Sequence, residues 1–155
     1  DYLVIDLPPG TGDVQLTMVQ SVPVTGAVIV TTPQDVAMID ARKAFNMFRD
    51  TNVPVLGIVE NMSQFICPHC GKTSDIFGHD GARLWAERSG TSFLGSIPLH
   101  ISIREHGDSG TPAVAALDSD PGVIKAFTEL SQKVAAQLSI RAQSSLKNMK
   151  LELIN

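Results

Sequence analysis

Short uninterrupted apolar runs alternate with amphipathic stretches along this chain, and the alternation predicts its architecture. Residues 2–7 make the first run, closed by Pro8-Pro9-Gly10; further runs cover 27–31, 55–59 and 92–95. None of the four alternates polar with apolar positions, the mark of strands covered on both faces in a parallel sheet. Between the runs the apolar residues take helical spacing. Asp13 is placed to cap a short helix carrying Leu16, Met18 and Val19. Thr32-Pro33-Gln34-Asp35 reads as a helix start with Thr32 at the N-cap and Pro33 at the first helical position. That helix aligns Ala37, Ala41, Ala44, Phe45 and Phe48, and Asn52 and Pro54 stop it. Residues 64–81 read as an irregular stretch, followed by a helix from about Ala82 to Gly90. Residues 96–112 read as a polar loop. Asp120-Pro121 then opens an amphipathic helix with Ile124, Phe127, Leu130, Val134 and Leu138 on its inner side.

Strand followed by helix, repeated, predicts right-handed βαβ units: an α/β fold with a mostly parallel sheet and helices on both faces. Residues 1–138 are expected to form the domain, with residues 64–81 as an insertion loop. The apolar period fades at Ser139, so residues 139–155 read as a tail. The first run is a strand already under way, without an initiator Met or a leader, and the chain reads as part of a longer polypeptide.

Composition changes this picture mainly by exclusion. The 155 residues are 43% hydrophobic and 18% charged, which suits a folded domain. A net charge of −4 without a basic stripe argues against nucleic acid as a partner. No apolar run is long enough to span a bilayer, so no membrane is expected either. The two cysteines are too few for the disulfide framework of a secreted domain, and the expected compartment is the cytoplasm.

Three segments carry candidate chemistry. In residues 3–13, Asp6 is expected at the carboxyl end of a buried strand, where ligands bind in open α/β sheets. An acid there can hold the magnesium that bridges two phosphates. Gly10, in the turn after it, allows backbone N–H groups to approach a terminal phosphate. The plainer alternative is a Pro/Gly turn in which Asp6 makes a local hydrogen bond. In Cys67-Pro68-His69-Cys70-Gly71, two thiols at this spacing in a tight turn can share one metal or cluster iron. A closed site needs four ligands. His69 with His79 could complete it, or a second chain could, or the two thiols could instead form a redox disulfide. Asn61, just past a strand end, offers a donor and an acceptor to a purine edge; the alternative is an Asx turn.

Together these segments resemble the Mrp/ApbC branch of the MinD-like P-loop ATPases, over residues 1–138. Residues 6–13 are similar to that family's switch II segment, and Thr31-Thr32-Pro33-Gln34 to the junction after it. Val59-Glu60-Asn61-Met62 resembles the base-recognition strand, and Cys67-Pro68-His69-Cys70 the cluster motif. Ile97-Pro98-Leu99 with residues 104–112 resembles the late loop. The resemblance implies that Asn61 faces adenine and that the Pro98 region lines its pocket. It implies Asp6 and Gly10 at the catalytic phosphate end, with ATP and magnesium bound in the intact protein. It further implies a homodimer holding a 4Fe–4S cluster between two Cys67/Cys70 pairs and passing it to apo iron–sulfur proteins. No Gly-x-x-x-x-Gly-Lys-Ser/Thr occurs in these residues, so the chain alone is expected to be inactive as an ATPase. The phosphate-loop strand of such a fold would lie beside the Asp6 strand. A zinc-stapled dimer and a MinD- or ParA-like positioning ATPase are the competing readings.

Overall fold

The computed structural model describes residues 2–8, 10 and 12–152, with side chains as far as residue 144. Three of the apolar runs pair as a parallel sheet: β1 (Ala27–Thr31), β2 (Val55–Glu60) and β5 (Phe93–Ser96), in the order β1-β2-β5. Ile29 pairs with Ile58, Thr31 with Glu60, and Glu60 with Ser96 on the other side. β2 is the centre, and its neighbouring residues Ile58 and Val59 serve opposite faces, as a strand's period of two requires. Ile58 packs with Ala27, Ile29, Ala41, Phe48, Ala82 and Trp85, under α2 (Asp35–Asp50) and α3 (Gly81–Arg88). Val59 packs with Leu94 and Ile97 under Phe127, Leu130 and Val134 of α5 (Pro121–Glu152). Each of these two side chains is at most 2% exposed, a burial that stabilises the fold by about 1.5–3 kcal/mol apiece. Phe45 meets the Trp85 ring edge-on at 5.7 Å, joining α2 to α3. The expected α/β class, with helices on both faces, is the observed one.

The first run departs from expectation. Residues 2–7 form no strand, and Leu3 and Val4 are 86% and 88% exposed. An apolar run becomes a buried strand only if a neighbour takes its backbone hydrogen bonds and two layers cover its side chains. Among the described residues neither condition holds, and only Leu7 reaches the core. Asp1, Pro9 and Thr11 lie outside the described residues.

Smaller corrections concern helix ends. Asp13 does not cap α1 (Asp13–Ser21); Gly12 holds the N-cap, and the Asp13 carboxylate sits in the first turn, facing the positive end of the helix dipole. α2 begins at Asp35 with Gln34 at the N-cap, two residues later than Thr32-Pro33 suggests. The expected cap of α5 is present: Asp120 Oδ1 accepts from the N–H of Gly122 at 2.8 Å and of Val123 at 3.1 Å. α5 runs through Leu138 without a break. What changes there is covering, since Val134 packs on the sheet while residues 139–144 are exposed.

Three elements were not legible as such. Residues 96–112 contain a helix, α4 (Ile101–Asp108), capped by the His100 imidazole, whose Nδ1 accepts from Ser102 N–H at 3.3 Å. Residues 64–81 contain a hairpin of two short strands, β3 (Phe65–Ile66) and β4 (Thr73–Ser74).

Candidate functional site

The hairpin presents both cysteines at its tip. Phe65 pairs with Ser74 and Ile66 with Thr73, antiparallel. Beyond them Cys67 N–H donates to Lys72 O at 3.0 Å, and Gly71 N–H to Cys67 O at 2.9 Å. Gly71 closes the turn at φ +68°, a left-handed conformation that glycine adopts without strain. The Cys67 sulfur accepts hydrogen bonds from the backbone N–H of His69, from the backbone N–H of Cys70 and from the Cys70 thiol. These bonds favour the thiolate and hold the Cys67 pKa below its ordinary value against a smaller opposing effect of burial. Both cysteines are free, Cys67 half-buried and Cys70 exposed.

Histidines do not complete a metal site. Among the described residues no group of three or more His, Cys, Asp and Glu side chains could hold a metal ion. His79 is engaged elsewhere, with Nε2 3.0 Å from Asp80 Oδ2 and Nδ1 3.9 Å from Asp75 Oδ1. The arrangement is a pair of soft donors in one tight turn.

Hydrogen bonds fasten the hairpin to the carboxyl end of the sheet. Ser63 N–H and Oγ both donate to Ile97 O, at 3.0 and 3.1 Å. Leu99 N–H donates to Gln64 O at 2.8 Å, Ile66 N–H donates to Leu99 O at 3.4 Å, and Phe65 and Leu99 form a parallel bridge. The segment leaving β2 therefore runs beside the segment leaving β5, which brings the Asn61 and Pro98 loops together. Asn61 N–H donates to Thr31 O at 2.7 Å, and Asn61 Oδ1 accepts from Met62 N–H at 2.9 Å. The local hydrogen bond of the alternative reading is thus formed, and Met62 takes the left-handed conformation, φ +53°. Thr32, at the end of β1, has a buried Oγ1 with no hydrogen-bond partner among the described residues. That orphaned oxygen and Asn61 give this corner unused polar capacity for a ligand.

Asp6 and Gly10 are not brought to a strand end. Asp6 is exposed on irregular backbone, and Gly10 turns at φ +103° with open space around it. Gln15 ties this segment to α1 by donating from Nε2 to Pro8 O at 2.7 Å. From the sequence alone Glu60 had no role beyond its place in the Val59-Glu60-Asn61-Met62 segment. This last residue of β2 is 1% exposed, and its Oε2 accepts from Ala82 N–H at 2.9 Å. An acid ending an otherwise apolar strand was the available signal.

Residues 1–135 match the family model described as NUBPL iron-transfer P-loop NTPase. The chain is 58% identical over 139 residues to the iron-sulfur cluster carrier protein of Salmonella typhimurium, covering 89% of this chain and 37% of that protein. It is 51% identical over 140 residues to the iron-sulfur cluster transfer protein NUBPL of Dictyostelium discoideum, covering 90% and 43%. It thus spans well under half the length of these relatives. Among solved structures it is similar to a nucleotide-binding protein of Archaeoglobus fulgidus in complex with ADP, at a TM-score of 0.64 and 44% identity, over 71% of this chain and 45% of that one. The cell division ATPase MinD of Pyrococcus furiosus shares the fold, with a TM-score of 0.56 at 24% identity over 72% and 43% of the two chains. By the extent of the family match and by identities above one half, this chain belongs to the NUBPL iron-transfer P-loop NTPase family.

Proposed function

We propose that this chain holds an iron–sulfur cluster as cargo, with Cys67 and Cys70 as its ligands, and passes it to apo iron–sulfur proteins. The observation that carries the reading is the hairpin tip, where two free thiols share one turn and Cys67 is favoured as thiolate. Soft thiolates are the donors that cluster irons take. Two donors per chain leave a cubane half-ligated, so the cluster is a 4Fe–4S unit shared by a homodimer, with identical hairpins facing across a two-fold axis. Transfer is then ligand exchange: thiolates of the recipient replace Cys67 and Cys70 on the irons, and the released thiolates take up protons.

In the intact protein ATP with magnesium would supply the energy for the cycle. Asn61 would hold the adenine edge and Pro98 line its pocket, beside the unpartnered Thr32 oxygen. Asp6 and Gly10 would serve the phosphate end once a neighbouring strand pairs with residues 2–7 and sets Asp6 at a strand terminus. Magnesium would there neutralise charge developing on the phosphates. Among the described residues no helix is long and apolar enough to cross a membrane.

Anaerobic reconstitution of the full-length protein, with iron counting and sedimentation, tests the reading. About four irons per two chains is expected. The same count per single chain overturns the shared cluster. Stoichiometric zinc with no visible absorption and no uptake of iron favours the zinc-stapled dimer, since a Cys-x-x-Cys turn suits that metal equally.

A further inference from the structure

Glu60 is a carboxylate set into the centre of the sheet, and nothing in the cluster chemistry above uses it. Its residue is 1% exposed, and on either side it pairs with Thr31 of β1 and Ser96 of β5. Burying a charge is costly unless hydrogen bonds or an opposite charge compensate it. The compensation comes from α3. Oε2 accepts the Ala82 N–H at 2.9 Å, in the first turn of that helix, where unsatisfied N–H groups and the helix dipole favour an anion. The N-cap residue of α3, Asp80, supplies no side-chain cap of its own and sits at φ +55°.

The topology gives this hydrogen bond its consequence. The chain leaves the sheet at Glu60, makes the excursion that carries the cysteine hairpin, and returns at Gly81-Ala82. The bond joins the two ends of that excursion, 22 residues apart. The same residue also grips the neighbouring loop through its backbone, since Glu60 O accepts from Ile97 N–H at 2.9 Å. The return point is packed tightly as well: a Cβ at Gly81 would lie 2.9 Å from the Pro33 carbonyl oxygen. The helix start therefore cannot drift from the β1–α2 junction without opening this corner.

We propose that Glu60 is a positioning residue for the Cys67–Cys70 hairpin: its carboxylate closes the base of the excursion onto the sheet, so that the thiols and Asn61 are held as one body. In the part concerning cluster retention this rests on the proposed cluster reading; the part concerning the hairpin's rigidity does not. Two thiols on a closed base meet a cluster in one geometry. With the base open, each ligand must be ordered anew, and the cluster is lost faster.

The test compares Glu60→Ala, Glu60→Gln and Val53→Ala in the full-length protein. Val53 is buried beyond the opposite end of β2, in the core that α2 and α3 cover, so its truncation loosens that core while leaving the Glu60–Ala82 bond its donor and acceptor. Hydrogen exchange of peptides within residues 64–80 is read without cluster, and cluster loss to a chelator is read after reconstitution. Glu60→Ala should speed both by about tenfold, the scale of losing a charge-assisted hydrogen bond. Glu60→Gln keeps an acceptor of the same reach and should stay within about threefold of the parent. Val53→Ala should leave both rates near the parent's although it lowers the melting temperature. Should Glu60→Ala fail to accumulate folded, Glu60→Asp, one methylene too short for the same bond, is read in its place. Unchanged exchange in residues 64–80 on loss of the Glu60 carboxylate overturns the proposal, as does equal loosening by Val53→Ala. A parent protein that takes up no cluster refutes the cluster reading, and the exchange rates still decide for or against Glu60.

Discussion

Gly57→Ala is the substitution for which this packing yields a magnitude. Gly57 lies within β2, beside the paired strand β5. A Cβ there would sit 2.5 Å from Leu94 Cγ and 2.6 Å from the Ser92 carbonyl oxygen. Leu94 is 1% exposed and wedged against Val59 and Ile97, so it has no open space to turn into. The Ser92 oxygen is backbone and accepts the Ile58 N–H at 2.9 Å. Overpacking of this kind costs about 1–3 kcal/mol, and the strained hydrogen bond adds about 0.5–1.5. A loss of about 2–4 kcal/mol is therefore expected, a large fraction of a domain's net stability. Gly107→Ala is the matched control. A Cβ on Gly107 meets nothing within 4 Å, and the residue is exposed near the end of α4, so alanine should be neutral or should stabilise by up to about 1 kcal/mol. Urea unfolding reads both as shifts of midpoint at unchanged slope. A Gly57→Ala loss below about 0.5 kcal/mol, the range of ordinary surface changes, would refute the account of the β2–β5 contact.

Asp120→Ala should cost about 1 kcal/mol in the same assay by uncapping α5, and Asp120→Asn, which keeps an acceptor, much less. Cys67→Ala and Cys70→Ala should each abolish cluster reconstitution, whereas His69→Ala should leave the iron count intact; a cluster that survives without Cys70 removes the ligand assignment. Because hydrogen bonds from His69 and Cys70 lower the Cys67 pKa, folded Cys67 keeps its thiolate to lower pH than the unfolded thiol does. Alkylation followed by peptide mass spectrometry should find it faster in the fold than in urea between those two values; equal rates would contradict the N–H···S bonds. The stability this shift contributes is present above the unfolded thiol's pKa and is lost as pH falls through the folded one. Titration calorimetry of the 155-residue chain alone should find weak ATP binding, since such affinity comes mostly from a phosphate loop's N–H groups and lysine; micromolar binding would mean that the nucleotide site has been misplaced.

Much of the fold was legible because burial on both faces leaves a plain signature. The runs at 27–31, 55–59 and 92–95 became β1, β2 and β5, and the inner face expected for the last helix, Phe127, Leu130 and Val134, is the one that packs. Residues 2–7 carry the same signature and fail to form a strand. Apolarity reports that a segment can be buried; pairing depends on a neighbour that the run itself does not encode. α4 was missed for a different reason. Its N-cap is a histidine, outside the residues that usually mark a helix start, and its eight residues include Gly107 and too few apolar positions to show a period.

The candidate site divides along the same line. Cys67 and Cys70 stood out because their chemistry is local: the thiols, the turn glycine and the N–H donors to sulfur fall within a few residues, and short-range geometry alone assembles them. Asn61 and Pro98 needed the sheet to bring two strand ends together, and the Ser63–Ile97 and Gln64–Leu99 hydrogen bonds do so. Asp6 and Gly10 depend on a paired strand beside residues 2–7, and among the described residues the outer edge of β1 is unpaired while Leu3 and Val4 stand in solvent. The hairpin end and the phosphate end therefore differ in what they require. The first is held by bonds among residues that are all present, the hairpin's own backbone pairs and the Glu60–Ala82 bond at its base; the second needs a partner strand before its acid has a fixed position. Loss of a hairpin ligand should accordingly abolish cluster retention in any form of the protein that folds, whereas Asp6→Ala should matter only where that strand is in place. There it should reduce hydrolysis more than nucleotide binding, because a metal-holding acid acts on charge that develops during phosphoryl transfer.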